Sequence, residues 1–104
     1  LALLTVSLAA RCLVPYAEHV ALLDQLRDVV IAPSRAIIAS FPEGRSNRQA
    51  WHVAARLVAS QLLDDRAHAH DAVHGVDGLL ALLRDGLLDD GAWYEGENYH
   101  LFAH

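Results

Sequence analysis

The sequence predicts an all-α protein built from antiparallel helical hairpins. Apolar residues recur at spacings of three and four along most of the chain, which is the periodicity of helices with a buried face. β-Branched residues are few and never alternate cleanly with polar ones, so strand signals are weak. We therefore expect mostly helix and no sheet of three or more strands.

The first ten residues are apolar apart from Thr5 and Ser7 and predict a buried helix. The alternative is the apolar part of a signal peptide, but the segment lacks a basic start and a clear cleavage site. No apolar run in the chain reaches the roughly 20 residues that a membrane-spanning helix needs. A helix packed in the core is the better interpretation of this segment.

A second helix is predicted from Tyr16 to Ile31. Its apolar residues at helical spacing are Val20, Leu23, Leu26, Val30 and Ile31. Pro33 is expected to break or restart this helix, and Pro42 to end the short helix that follows. The composition of residues 41–46 predicts a loop.

A long helix is expected to begin at Ser46 or Asn47, either of which can cap it, and to run to about Leu63. The residues predicted to share its apolar face are Trp51, Ala54, Ala55, Val58 and Leu62. A short break at residues 64–65 separates this helix from the next one along the chain.

The remaining elements are two more helices and two turns. We predict helices over residues 66–73 and 79–88, with a turn between them that is bracketed by Gly75 and Gly78. Residues 89–91 form a further turn. Helices joined by such short connections are typical of an α/α array, and the pattern alone does not separate a toroid from a bundle or a solenoid.

Composition excludes several classes of protein. The 104 residues suffice for one small domain, and the eight arginines are scattered singly in a lysine-free chain of net charge -5. A nucleic-acid-binding protein clusters its positive charge, so that class is not expected. Cys12 is the only cysteine, which excludes an internal disulfide. The alanine- and arginine-rich usage indicates a bacterial source. Because the chain begins at Leu1 and contains no Met, we expect further chain on both sides.

Two polar-aromatic clusters stand out as candidate functional sites. The first covers residues 45–52 and the second residues 90–100. Each combines turn residues, a tryptophan and several hydrogen-bonding side chains, a mixture that suits the apolar faces and hydroxyl edges of sugar rings. Alternatively, Trp51 and Trp93 are ordinary anchors of the core.

The second cluster resembles a segment of the heparinase II/III and alginate lyase superfamily. That segment reads Asp-Gly-x-Trp-x-Glu-x-x-x-Tyr-His, and this chain supplies Asp90, Gly91, Trp93, Glu95, Tyr99 and His100. The first cluster resembles the family's upstream Asn-His element, written here from Asn47 to His52. The two motifs occur in the family's order, with Asn47 and Tyr99 52 positions apart.

The resemblance implies β-elimination on a uronic-acid polysaccharide, either heparin-like or alginate-like, with no cofactor. It also implies that the chain is part of an incomplete α/α toroid, completed by a C-terminal β-sandwich domain, in a periplasmic or secreted enzyme. By motif, Tyr99 is the acid that protonates the leaving oxygen and Asn47 binds the substrate carboxylate. Such chemistry requires a base and an acid. It also requires a group that binds the sugar carboxylate and so stabilises the enolate-like intermediate.

One position departs from the family pattern, because Arg48 stands where the family has histidine. Arginine binds carboxylates well but is a very poor base. His52 lies one helical turn after Arg48 and is a candidate replacement, or else a helix-packing residue. His100 either assists in the same way or braces Tyr99. Glu95 is expected to fix its loop by hydrogen bonds.

A zinc site formed by His68, His70 and His74 is a weaker alternative. His70 and His74 are four residues apart and share a helical face, with Asp71 or Asp77 nearby. The metalloprotease pattern, however, requires Glu directly after the first His, and Asp71 stands there. A solvated helix surface is the better interpretation, so no metal is predicted.

Two other classes of function remain open. A non-catalytic helical module that binds carbohydrate would need the tryptophan-containing loops but no proton transfer. A helical scaffold for protein interaction would not need the two clusters to meet. The lyase hypothesis instead predicts the Asn47 and Tyr99 side chains within about 10 Å of each other, because both act on one sugar.

Overall fold

The structure is a computed structural model that describes residues 2–40 and 46–96. Its six α-helices are α1 (Ala2–Leu13), α2 (Val20–Gln25), α3 (Ala32–Ala39), α4 (Asn47–Leu62), α5 (Arg66–His74) and α6 (Leu79–Gly86). A 3₁₀ turn, Ala17–His19, precedes α2, and a π-helical segment, Leu26–Ile31, joins α2 to α3.

The all-α prediction is confirmed. Within the described ranges, β pairing is limited to one bridge between Leu87 and Trp93, so no sheet of three strands forms there. None of the helices in this part of the chain has the length and apolar character required to cross a membrane. That the helices belong to an α/α toroid stays a prediction.

Helix α4 lies at the centre of the fold and contacts α1, α3, α5 and α6. One of its faces buries Ala55, Ala59 and Leu62 in the main core. Helix α1 contributes buried residues at spacings of three and four, as its predicted role as a core helix requires: Leu3, Leu4, Ser7 and Ala10. The small side chains at Ala55, Ala59 and Ala10 allow close approach of the two helices.

A second face of α4 is also buried, and it is polar. It comprises Gln49, Val53, Arg56 and Ser60, which follow one another at spacings of four, three and four. The prediction of a single buried, apolar face on α4 is therefore incomplete, because a second face is buried as well. Trp51, which was expected on it, retains 37% of its surface exposed. A helix surrounded by four others buries more of its circumference than one stripe, so polar residues enter the interior there.

The prediction that Pro33 breaks or restarts the helix holds in part, because α3 begins at Ala32 with Pro33 at its second position, but the helical backbone does not break. Helical backbone continues from Val20 through the π segment to Ala39. A proline ring normally clashes with the carbonyl four residues before it. Here the turn before Pro33 is wider, and the Ala32 N–H donates to the Arg27 carbonyl five residues earlier. The predicted end at Pro42 lies outside the described residues.

Asp65 begins helix α5 and ties it to α3. Its Oδ1 accepts a hydrogen bond from the His68 backbone N–H at 3.0 Å, which caps the helix. Its Oδ2 accepts from Arg35 Nη1 at 2.7 Å. The bond from the His68 N–H, with the nearby His68 and Arg35 charges, holds the pKa of Asp65 below its ordinary value.

We expect Asp65 to stabilise the fold in a pH-dependent way. A carboxyl group whose pKa is lowered by folding contributes stability above its unfolded pKa of about 3.9, and this contribution is lost as the pH falls through the folded pKa. The difference in unfolding free energy between the protein and Asp65→Asn should therefore be larger at about pH 5 than at about pH 2, and should shrink as the pH falls below about 4. Urea unfolding at a series of pH values measures it. A difference that stays unchanged down to about pH 2 would show that the charge contributes nothing.

The chain after α6 forms a short hairpin packed against that helix. Helix α6 ends at Gly86, two residues before the predicted end, because Leu87 pairs with Trp93. The predicted turn at residues 89–91 is present, and the Gly91 N–H donates to the Leu88 carbonyl at 2.8 Å. Gly86 permits the docking, since a Cβ at this position would overlap the Trp93 ring.

Candidate functional site

The carboxylate of Glu95 joins the two polar-aromatic clusters. Its Oε2 accepts a hydrogen bond from the Asn47 backbone N–H at 2.6 Å and another from Trp93 Nε1 at 2.8 Å. Asn47 begins helix α4, and Glu95 follows the hairpin after α6. Segments that are distant in sequence thus meet at the N-terminal end of α4.

Glu95 supplies a hydrogen-bond acceptor at the N-terminal end of α4. The first N–H groups of a helix have no acceptor within it, and the helix dipole favours negative charge there. The Ser46 side chain makes no capping hydrogen bond. The Glu95 carboxylate takes that place, which agrees with its expected role of fixing the loop by hydrogen bonds.

Trp93 is a core residue. Only 2% of its surface is exposed, and its ring packs against Gly86. The expectation that Trp93 contacts a sugar is therefore wrong, because neither face of a buried ring is available to a ligand, and the alternative that Trp93 anchors the core holds. Trp51 remains available, with 37% of its surface exposed. Tyr94, which the sequence reasoning missed, is 44% exposed, and its ring centroid lies 5.6 Å from that of Trp93.

The three candidate polar residues of α4 differ in exposure. Asn47 is half-buried at the first position of the helix, and Arg48 is exposed. His52 is half-buried and lines a cavity that Arg48 does not reach. Arg48 and His52 are thus one turn apart, as predicted, but only His52 lines that cavity.

Tyr99 and His100 lie outside the described residues. The expected separation of about 10 Å between Asn47 and Tyr99 therefore stays a prediction. The structure does show a contact nearby in the sequence. The Asn47 backbone N–H donates a hydrogen bond to Glu95, which precedes Tyr99 by four positions.

Two adjoining cavities form a groove beside α4. The smaller, about 160 Å³, is lined by residues that include His52, Arg56 and Asp71. The larger, about 290 Å³, extends to Arg84 and Asp85 on α6. Gln49, Val76 and Asp77 line both cavities, so the groove runs along the second, polar face of α4.

The loop between α5 and α6 shapes the groove. Gln49 Nε2 donates to the Asp77 carbonyl at 2.8 Å, which holds the loop to α4. Gly75 packs tightly on the end of α5, where a Cβ would lie 2.5 Å from the Asp71 carbonyl oxygen. The sequence reasoning placed the turn correctly but missed its partner Gln49. The sequence feature that could have identified Gln49 is its spacing with Val53 and Arg56, which places all three residues on one helical face.

The histidines of α5 are not arranged as a zinc site. His68 Nδ1 lies 3.0 Å from Asp65 Oδ2, and the rings of His70 and His74 stack with centroids 4.5 Å apart. Within residues 2–40 and 46–96, no group of three or more His, Cys, Asp or Glu side chains is placed to hold a metal ion.

Searches with family models, among curated proteins and among solved structures gave no match to this chain. The resemblance to the lyase superfamily thus stays a prediction from the residues quoted above.

Proposed function

We propose that the chain is part of a polysaccharide lyase that cleaves a uronic-acid polymer by β-elimination. The observation that supports this most is the Glu95 carboxylate, which bonds to both Asn47 and Trp93. These three residues belong to the two motifs on which the family resemblance depends. A scaffold without a ligand site would not require the motifs to meet.

Asn47 and Arg48 are the proposed receptors for the substrate carboxylate. The end of α4 already holds the Glu95 carboxylate, so a second anion there needs a positive counter-charge. Arg48 is exposed at the next position of the helix and supplies that charge. Neutralising the sugar carboxylate lowers the cost of removing the adjacent proton, because the negative charge develops beside it.

Tyr99 is the proposed acid that protonates the departing glycosidic oxygen. It follows Glu95 by four residues, and four residues of chain span at most about 14 Å. Its phenol normally titrates near pH 10, so acting also as base requires a positive charge nearby. Arg48 is the candidate for that charge. His52 is the alternative base.

The test compares Asn47→Ala with Arg48→Ala in the protein that carries this segment together with its expected β domain. Elimination leaves an unsaturated sugar, whose ultraviolet absorbance measures turnover on heparin-like and alginate-like polymers. Both variants should reduce turnover, and Arg48→Ala should match or exceed Asn47→Ala if Arg48 has taken over the carboxylate. A mild effect of Arg48→Ala would show that it only occupies the place of the family's histidine. Absence of the unsaturated product with every acidic polymer tested would refute the lyase proposal.

A non-catalytic carbohydrate-binding module is the second candidate function. The exposed aromatic rings of Trp51 and Tyr94 favour it, because such rings stack on the apolar faces of sugars. The two candidates differ in product: a binding module retains an acidic polysaccharide without producing an unsaturated end.

A further inference from the structure

The groove is lined by a buried guanidinium that has one hydrogen-bond donor without an acceptor in the described part of the chain. Arg56 has 7% of its side chain exposed, and its Nη2 donates to Asp71 Oδ2. A guanidinium has five N–H donors. Among the described residues, Arg56 Nε is buried without an acceptor. Leaving a buried charged donor unpaired is costly, so a guanidinium in this state favours a ligand that brings acceptor oxygens.

The charges in the groove select against ionic ligands. The smaller cavity combines Arg56 with two carboxylates, Asp71 and Asp77. An anion would accept from Arg56 but be repelled by the carboxylates, and a cation would have nothing to offer the guanidinium. A hydroxyl group both donates and accepts, so it can serve both kinds of partner. Ile38 and Val76 add apolar surface to the same cavity.

The dimensions of the groove fit two sugar units. A cavity of about 150 Å³ accommodates a bare six-carbon ring such as benzene, so a cavity of this size takes the ring of one sugar unit while its hydroxyl groups extend into the open groove. The smaller cavity, at about 160 Å³, is of that size, and the larger one of about 290 Å³ continues from it. In the larger cavity, Arg84 Nε and Nη2 both donate to the Asp85 carboxylate, at 2.8 and 3.0 Å. This second Arg–Asp pair presents the same combination of donors and acceptors.

We propose that the groove along α4 binds two consecutive neutral sugar units of a polysaccharide. This inference goes beyond the proposed function, which concerns an acidic sugar at Asn47 and Tyr99, and it holds whether or not the protein is a lyase. Arg56 donates to one hydroxyl, and Asp77 accepts from another. The Gln49–Asp77 hydrogen bond fixes the loop that both units touch.

The test is a titration of the isotope-labelled chain, followed by nuclear magnetic resonance. The ligands are three neutral disaccharides (cellobiose, maltose and mannobiose) and one acidic disaccharide, digalacturonate. At least one neutral disaccharide should produce saturable shifts in the Val76, Asp77 and Gly78 amides and in the Arg56 Nε–H. Digalacturonate should bind more weakly. Shifts that are absent for all three neutral ligands, or tighter binding of digalacturonate, would overturn the proposal.

Two variants with one control locate the binding. Asp77→Ala removes an exposed carboxylate but keeps the carbonyl that Gln49 uses, and should weaken binding at least about 10-fold, as expected for a hydrogen bond to a charged group. Asp28→Ala makes the same charge change outside the groove and should leave binding unaltered. Ala81→Leu fills the larger cavity and should reduce cellobiose affinity toward that of glucose. Equal affinities for Asp77→Ala and Asp28→Ala would refute the site. Lyase turnover is measured separately, from the unsaturated product. The disaccharide titration therefore tests the groove alone, and the turnover assay tests the proposed lyase function alone.

Discussion

Trp93→Ala is expected to lower the free energy of unfolding by about 3–5 kcal/mol, the range for removing a large buried aromatic side chain. The ring is 2% exposed and fills the space above Gly86. Its indole N–H also donates to Glu95, which in turn holds the first turn of α4. Losing the ring leaves a cavity and releases this link. Urea unfolding gives the free energy, and the melting temperature should fall by more than about 12 °C for a chain of this size.

Trp51→Ala is the matched control. It removes the same ring from a position that is 37% exposed, so less apolar surface returns to water and little cavity is left. We expect a smaller loss, of about 1–2 kcal/mol, because part of the ring already contacts water. Comparable losses for the two variants would contradict the assignment of Trp93 to the core and of Trp51 to the surface.

Tyr99→Phe is expected to lower turnover on an acidic polysaccharide by at least about 100-fold, the lower end of the effect of general acid–base catalysis. Phenylalanine keeps the aromatic ring and removes the hydroxyl that would protonate the leaving oxygen. Binding of the polymer should survive, because the ring surface remains. The measurement is the rate of ultraviolet absorbance from the unsaturated product, in the protein that includes the expected β domain.

Tyr94→Phe provides the control for Tyr99→Phe. Tyr94 is 44% exposed, precedes Tyr99 by five positions in the sequence and has no assigned role in proton transfer. Its variant should turn over substrate at close to the original rate. A Tyr99→Phe protein that also forms the unsaturated product at a near-original rate would remove Tyr99 from the proposed mechanism, whatever the fold.

Most of the fold could be predicted because helices are encoded locally. The apolar spacing of α1 and the glycines around the turn after α5 located these elements to within a few residues. The continuation of the helix through Pro33 could not be predicted. It depends on a π-helical turn stabilised by tertiary packing, in which Ile31 is fully buried. Local rules for proline describe an ordinary helix and contain no such information.

The candidate site was only partly predictable, for a different reason. The family resemblance implied that Asn47 and the second cluster belong to one site, and it also supplied the chemistry. Gln49 and Arg56 were missed because hydrophobic periodicity does not identify polar residues that are buried. Their interior position depends on partners contributed by α5 and its following loop, which only the three-dimensional arrangement brings to α4.

The hydrogen bond from Asn47 to Glu95 spans 48 positions of the chain. During synthesis, α4 leaves the ribosome with its first turn exposed to water, and the acceptor for the Asn47 N–H is made almost half a chain later. Closing so large a loop costs entropy that a local capping residue would not have to overcome. The beginning of α4 is therefore completed only when the hairpin docks, which makes the docking of Trp93 and the ordering of this helix end a single cooperative event.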